Sequence, residues 1–212
     1  MIVTIRESRN PKIAVITPLY EGHDISLDTQ KTIGLNDISF IWVSAKSKNN
    51  IPTNLKAGLE YLQEEGKLPE YYFMLDRDII LGEHIFDKLY ATLSAQPLMC
   101  AYAYASFEFR GYINMAFPAD EWDISRLKKA NYISSNSLFR SDVVAKVELV
   151  TDDKYKRLLD WAFLLKLARE GYYGVPCLSA NFIAKSTAGD ISAGGKDDYI
   201  RKHIAVVKDF AR

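Results

Sequence analysis

The sequence has few cysteines, no excess of charge and no long apolar run. Its 212 residues include two cysteines, Cys100 and Cys177, which are too few for a disulfide framework and lie among apolar neighbours typical of reduced core thiols. Lys+Arg and Asp+Glu both number 27, so no basic excess favours a nucleic-acid partner. No apolar run approaches the roughly 18 residues of a membrane span, and the N-terminus lacks the apolar segment of a signal peptide. We therefore expect a soluble protein of a reducing, cytoplasmic compartment, with no nucleic-acid partner and no membrane span.

The composition is that of a globular enzyme, with 48% hydrophobic and 25% charged residues. The length suits one well-buried α/β domain, and we find no internal repeat, linker or low-complexity tract. We therefore predict a single domain over residues 1–212, with one half at about 1–98 and the other at about 99–212. The chain ends on a predicted helix rather than a tail, which leaves room for further domains of a longer polypeptide.

The first half alternates predicted strands and helices. Short apolar runs at 12–18, 38–43 and 71–75 are typical of buried strands. A helix should begin at Thr53 or Asn54 and end at Gly66, and another should cover 82–93. This alternation predicts an α/β fold with a mostly parallel central sheet and helices on both faces. Because ligands bind beyond the carboxyl ends of such strands, the loops that follow the three strands should meet at one crevice.

A polar loop is expected over 44–50, after the second predicted strand. The second half of the chain shows less regular periodicity than the first. The later segments are a strand at 99–109, an aromatic turn-rich stretch at 111–123, a strand or loop at 132–139, a short helix at 141–147, a long helix at 154–170, a Gly-rich loop at 187–195 and a final helix at 197–212.

Two carboxylates follow the third strand. In a strand, residues two apart point to the same side, so Asp76 and Asp78 should share a face and Arg77 should point away. Two adjacent carboxylates repel each other unless a cation lies beside them, and oxygen ligands suit Mg²⁺ or Mn²⁺. The pair therefore predicts a divalent metal that bridges to a diphosphate. The alternative is a solvated acidic turn in which Arg77 pairs locally.

Four segments resemble family 2 glycosyltransferases of the GT-A fold, and they occur in the order found in that family. They span residues 13 to 172. The segments are the opening strand with its Pro-x-Tyr turn (Ile13–Tyr20), the Asp-x-Asp strand (Phe73–Asp78), the small-polar segment ending in Leu-Phe-Arg (Ile133–Arg140), and the Asp-Trp helix with its Gly-Tyr tail (Leu159–Tyr172).

The resemblance implies a glycosyltransferase that moves a hexose or deoxyhexose from a UDP-sugar donor to a glycan acceptor, with Mn²⁺ or Mg²⁺ as cofactor. The first half would bind the nucleotide and the second half the acceptor. Asp76 and Asp78 would hold the metal, with Asp76 also near the ribose, and Asp160 would be the general base. The alternative for Asp160 is a carboxylate at a helix N-terminus, stabilised by the helix dipole or by Arg157. The nucleotide pocket would be lined by Thr17, Pro18, Leu19 and Tyr20.

The chain departs from the family at three places. One is Leu159, which stands where the family often has a Glu before the base, so Asp160 has no carboxylate neighbour in the sequence. The family usually carries an Asp after the second strand that reads uracil, whereas Val43–Lys46 contains no acid, so the base would be read by Ser44, Asn54 or backbone groups. A His that often contacts the metal or phosphate is replaced by Lys185, which could pair with a phosphate. We also include Lys56 and Arg77 among the expected nucleotide contacts, although a solvated Lys56 is the simpler interpretation.

Sugar contacts are expected from aromatic residues, because their rings stack on the apolar faces of sugars. Tyr112, Phe117 and Trp122 lie in the stretch predicted to be an exposed loop, and Trp161 follows the expected base. Asn136 is expected either to hydrogen-bond the donor sugar or to cap a turn.

Three functional alternatives remain from the sequence. The first is transfer with inversion through Asp160, and the second is transfer with retention on the same fold. The third is a non-catalytic module that binds a sugar nucleotide or a carbohydrate. The sequence shows no Gly-rich phosphate loop and no Gly-x-Gly-x-x-Gly turn, which disfavours a nucleotidyltransferase and a Rossmann dehydrogenase.

Overall fold

The computed structural model describes residues 1–112, 114–186 and 196–211. Within these ranges the chain forms nine strands, seven helices and one 3₁₀ turn at Asp153–Tyr155. The strands are β1 (Ile2–Glu7), β2 (Ile13–Tyr20), β3 (Phe40–Ser47), β4 (Tyr71–Met74), β5 (Ile79–Leu81), β6 (Cys100–Gly111), β7 (Met115–Phe117), β8 (Leu138–Arg140) and β9 (Tyr173–Ser186). The helices are α1 (Leu27–Ile33), α2 (Ile51–Glu64), α3 (Ile85–Ser94), α4 (Ile124–Leu127), α5 (Ser141–Lys146), α6 (Leu159–Arg169) and α7 (Lys196–Phe210).

The strands form one sheet in the order β1-β3-β2-β4-β8-β6-β9-β5, with β7 paired to β6. Parallel pairing joins β2 to β3 and β4, and β6 to β9. The short strand β8 is antiparallel to both β4 and β6, so β2, β3, β4, β6 and β9 all run in the same direction. The prediction of an α/β fold with a mostly parallel sheet is therefore confirmed.

Helices cover both faces of the sheet, which explains why its central strands are continuous apolar runs. On one face, Leu55, Leu59 and Leu62 of α2 share a core with the buried side chains of α6. On the other face, α3 contributes Phe86 and Leu89 to a second core. Both faces of β2 and β4 are therefore buried, and polar groups on these strands are confined to their ends.

Two boundaries in the first half differ from the sequence prediction. The polar segment 44–50 was expected to be a loop, but β3 continues to Ser47 because its parallel pairing with β2 extends to Tyr20. Helix α2 begins earlier than expected, at Ile51, since the side chain of Asn50 accepts a 2.9 Å hydrogen bond from the amide of Thr53. Polar composition was a poor guide here because the end of β3 is only half-buried.

The helix predicted over 154–170 is broken. The 3₁₀ turn ends at Tyr155, and Arg157 has a φ of 82°, in the left-handed region that interrupts an α-helix. Helix α6 then begins at Leu159, which makes Asp160 the second residue of its first turn. The final helix is confirmed as α7, whereas the loop predicted over 187–195 lies outside the described residues.

Arg140 fixes the junction of β8, α3 and β6. Its side chain is 4% exposed. The guanidinium donates to the carbonyls of Cys100, Leu93 and Gln96 at 3.0, 3.1 and 3.0 Å, and to the hydroxyl of Tyr71 at 3.2 Å. One buried cation therefore satisfies carbonyls at the C-terminal end of α3 and holds them against two strands.

Cys100 and Cys177 are both buried and form no disulfide with each other, as expected of reduced core thiols. None of the helices in the described parts of the chain has the length and apolar character needed to cross a membrane.

Candidate functional site

A cleft of about 390 Å³ lies beyond the carboxyl ends of β2 and β4. Four segments bring polar residues to it: the turn after β4, the loop before β8, the N-terminus of α6 and the end of β9. Apolar side chains such as Phe107, Phe163 and Phe182 form much of its wall. The polar residues that the sequence predicted and that line this cleft are Tyr20, Asp76, Arg77, Asp78, Asn136, Asp160 and Lys185.

Asp76 and Asp78 reach the cleft from a turn rather than from strand positions. The amide of Leu75 donates to the carbonyl of Ile16 at 2.9 Å, which keeps the chain beside β2 for one residue beyond β4. The chain then turns at Arg77, whose carbonyl accepts from the hydroxyl of Thr29 at 2.9 Å. Because the alternation of strand faces ends there, Arg77 lines the same cleft instead of pointing away as predicted.

Asn136 holds Asp76 by two hydrogen bonds. Its Oδ1 accepts from the backbone amide of Asp76 at 2.8 Å, and its Nδ2 donates to Oδ2 of the same residue at 2.8 Å. Asn136 is 3% exposed, and Nδ2 also lies 3.3 Å from Oγ of Ser134. The structure therefore gives Asn136 a role that the sequence did not predict, which is to orient a carboxylate.

Asp76 is in an environment that disfavours its negative charge. Burial raises the pKa of its carboxyl to about 6, the hydrogen bond from Asn136 opposes that rise, and the charges of Asp78 and Asp160 add to it. Three carboxylates therefore act on one another within the cleft, and a cation placed among them would be stabilised.

Asp160 lies at the start of α6, where the N-cap residue Leu158 supplies no side-chain cap. The backbone amides of Asp160 and Trp161 donate to the Asp160 carboxylate and lower its pKa, but burial has the larger effect and raises the pKa to about 6. Nδ2 of Asn131 also donates to Oδ2 of Asp160, at 3.1 Å. Both roles weighed from the sequence, a helix-terminus carboxylate and a base, are compatible with this position.

The C-terminal end of β2 forms one wall of the cleft through Pro18, Leu19 and Tyr20. Tyr20 is half-buried, and the ring of His23 lies edge-on to it at 6.0 Å between centroids. An aromatic side chain at this wall offers a flat surface on which a planar base could stack.

The other residues expected at the nucleotide do not line the cleft. Thr17 is fully buried, and its hydroxyl accepts from Nε1 of Trp42 at 3.0 Å. Ser44 lies within β3, between β1 and β2. Asn54 is buried and donates to the carbonyl of Leu19 at 2.8 Å, so it supports the cleft wall from behind. Lys56 is paired with Glu148 at 3.0 Å.

The predicted sugar-binding aromatics also lie outside the cleft. Tyr112 is 66% exposed near the β6–β7 turn, and Phe117 stacks on Phe107, a residue of the cleft wall, at 4.6 Å between centroids. Nε1 of Trp122 donates to the hydroxyl of Tyr102 at 2.9 Å. Trp161 is a core residue and not a sugar contact, because it is fully buried and donates to the carbonyl of Leu127 at 2.7 Å.

Several basic side chains line the cleft beside the carboxylates. Lys185 lines the cleft and is ion-paired with Asp28 of α1. Arg157, which the sequence offered as a partner that stabilises Asp160, also lines it, as do His23 and Lys156, which the sequence analysis missed. Lys156 lies just before the first turn of α6, so its position near Asp160 in the chain was the available signal. This mixture of charges suits a ligand that carries both negative charge and a bound cation.

Searches of the sequence against protein-family models and curated proteins give no match. Solved structures do match. S. aureus TarS has a TM-score of 0.57 and 12% identity over 92% of this chain, which spans 39% of the TarS chain. TarS residues 1–349 in complex with UDP-GlcNAc gives a TM-score of 0.60 at 12% identity, over 90% of this chain and 64% of that one. The same fragment with UDP gives 0.59 at 9% identity, over 92% and 64%.

These matches define the class of fold. The chain has a GT-A-like α/β fold, and its large mixed sheet carries the cleft at the edge described above. The chain spans about two fifths of the full TarS structure. At these identities the likeness concerns the fold.

Proposed function

We propose that the protein is a metal-dependent glycosyltransferase of family 2 type, which transfers a hexose or deoxyhexose from a UDP-sugar to a glycan hydroxyl with inversion. The observation that supports this most is the meeting of Asp76, Asp78 and Asp160 in one cleft. The fold adds to it, since TarS has been solved with UDP and with UDP-GlcNAc bound.

The residues present fit a divalent cation that is shared with the donor. In the described part of the chain, no group of three or more His, Cys, Asp and Glu side chains could hold a metal ion. Asp76 and Asp78 would therefore supply two carboxylates, and diphosphate oxygens and water would complete the coordination, which is common for Mg²⁺-type sites. When bound, the ion would offset the charge that develops on the departing diphosphate.

The remaining chemistry belongs to side chains of this chain. Asp160 would accept the proton of the acceptor hydroxyl as the oxygen attacks the anomeric carbon. Its raised pKa suits this role, because a base that titrates near 6 is ionised at neutral pH and still binds a proton well. Arg77, Lys156 and Lys185 line the cleft and would pair with phosphate oxygens, and the end of β2 from Pro18 to Tyr20 would bind the nucleoside.

Calorimetric titration tests the donor site. We expect UDP and UDP-sugars to bind more tightly in the presence of Mn²⁺, and Asp78→Ala to weaken that binding by at least about 10-fold. GDP provides the comparison for the base. The exposed residue Asp142, which pairs with Lys146 at 2.9 Å, provides the matched control, and Asp142→Ala should bind as the wild type does.

The outcome also separates the alternatives. Binding that is indifferent to both Mn²⁺ and Asp78, or no binding of any nucleotide, would contradict the proposal. Binding of a UDP-sugar without transfer and without slow donor hydrolysis would instead identify a non-catalytic module. The anomeric configuration of the product distinguishes inversion from retention.

A further inference from the structure

We propose that Asn131 is a positioning residue of the transfer reaction, whose side-chain amide holds the Asp160 carboxylate in the orientation that accepts the proton. The inference rests on the proposed function, because it requires Asp160 to be the general base. Asn131 belongs to none of the sequence segments that indicated the fold, and it does not line the cleft.

The hydrogen bonds of Asn131 fix which end of its amide faces Asp160. Oδ1 accepts from the backbone amide of Ile133 at 3.2 Å. A backbone N–H can only donate, so the oxygen must face Ile133 and the NH₂ group must face the carboxylate. Nδ2 then donates to Oδ2 of Asp160 at 3.1 Å.

Asp160 is thereby held from two directions. The first turn of α6 donates backbone amides to its carboxylate, and Asn131 donates from the loop before β8. A carboxylate restrained in this way has a fixed rotamer, which keeps one face of the group directed at the cleft. A shift of about 1 Å in a reacting group can lower a rate by about 100-fold, so this restraint matters for the chemistry.

The same loop also fixes the carboxylate on the donor side. Asn131 binds Asp160, and Asn136, further along the loop, binds Asp76 by two hydrogen bonds. The separation between the base and Asp76 is therefore set by one short segment of backbone. This arrangement supports a positioning role for Asn131, because its side chain links the loop that holds Asp76 to the Asp160 carboxylate.

The purely structural alternative is that Asn131 only shapes its own loop through Ile133. Asn131→Asp separates the two roles. An Asp side chain keeps an oxygen that can accept from the amide of Ile133, but it has no N–H to donate to Asp160 and places a second carboxylate beside it. The variant therefore preserves the loop contact and removes the proposed one.

Asn36 provides a matched control. It is a buried Asn with the same kind of contacts, since Nδ2 donates to the carbonyl of Ile33 at 3.1 Å and Oδ1 accepts from the amide of Phe86 at 2.8 Å. It does not line the cleft. Asn36→Asp should lower the melting temperature and leave kcat unchanged.

The experiment measures kcat and KM for donor and acceptor, together with calorimetric UDP binding in the presence of Mn²⁺. We expect Asn131→Asp and Asn131→Ala to lower kcat by about 10- to 100-fold, with the KM for the donor and the affinity for UDP unchanged. In an Asp160→Asn background, Asn131→Ala should cause no further loss of the residual turnover, because the group on which it acts is absent.

Four outcomes would overturn the inference. A kcat for Asn131→Asp equal to that of the wild type would do so, as would an equal loss from Asn131→Ala in the wild-type and Asp160→Asn backgrounds. In both cases an inactive Asp160→Asn leaves the proposed function intact. Full turnover by Asp160→Asn, or no turnover by the wild type with any donor, would remove the base assignment and this inference together.

Discussion

Replacing Asp160 with Asn should lower kcat by about 100- to 10,000-fold, which is the usual contribution of a general base. Asn keeps the size of the side chain and an oxygen that can accept the first-turn amides of α6, but it cannot take a proton. The wild-type activity should rise with pH through about 6, because burial raises the pKa of the Asp160 carboxyl to that value. The measurement is kcat/KM from pH 5 to 8, alongside UDP binding, which should not change.

The same variant should be more stable than the wild type at neutral pH. The folded-state pKa of Asp160 is raised, so its contribution to stability is present below the unfolded pKa and is lost as pH rises through about 6. Removing the charge should therefore increase the free energy of unfolding by about 1–2 kcal/mol at pH 7.5, or roughly 2–8 °C in Tm for this size. The gain should vanish near pH 4.

Asp142→Asn, on the exposed surface, is the control for both readouts and should match the wild type in rate and in Tm. Wild-type turnover by Asp160→Asn would remove Asp160 from the base role. Equal melting temperatures at pH 7.5 would show that the carboxylate is better solvated than its position indicates.

The second large effect is expected from Arg140→Met. The change keeps most of the apolar volume but leaves two buried carbonyls, one part-buried carbonyl and the Tyr71 hydroxyl without their donor. Each unsatisfied buried group costs about 1–3 kcal/mol. We therefore expect a loss of about 3–5 kcal/mol, measured by urea unfolding followed by circular dichroism.

Arg110→Met is the matched control, because Arg110 is exposed and pairs with Glu108 at 2.9 Å. Its loss should be at most about 1 kcal/mol, as for other surface pairs. Arg140→Lys should not rescue stability, since an ammonium group cannot reach carbonyls on several sides as the planar guanidinium does. Equal unfolding midpoints for Arg140→Met and the wild type would contradict this account of the junction.

The sequence predicts the parts of this fold in which local pattern and burial agree. The strands β2 and β4 are buried on both faces, so their apolar runs were unambiguous, and the acidic residues after β4 were placed at the correct edge of the sheet. Strand β9 was missed because it is a long strand of mixed exposure that contains Pro176. Its pairing with β6 depends on residues about 70 positions away, which no local window contains.

The sequence indicated the carboxylates of the cleft but not the contacts that support them. Asp76 and Asp160 line the cleft, whereas their partners Asn136 and Asn131 lie 60 and 29 positions away in the chain. The break before α6 was missed because the left-handed conformation of Arg157 does not alter the spacing of apolar residues. Trp161 was misplaced for a related reason, since an aromatic residue next to an acid in the sequence can equally well belong to the core.

The strand order has a consequence for the sequence of events during synthesis. Strands β1 to β4 pair with one another and leave the ribosome early, so that part of the sheet can form while the rest is still being made. The turn that carries Asp76 and Asp78 leads into β5, which pairs with β9, more than 90 residues later. Strand β8, the neighbour of β4, is also synthesised late. Non-local pairing of this kind forms slowly. Nascent chains should therefore gain secondary structure in β1 to β4 well before β5, β8 and β9 complete the cleft.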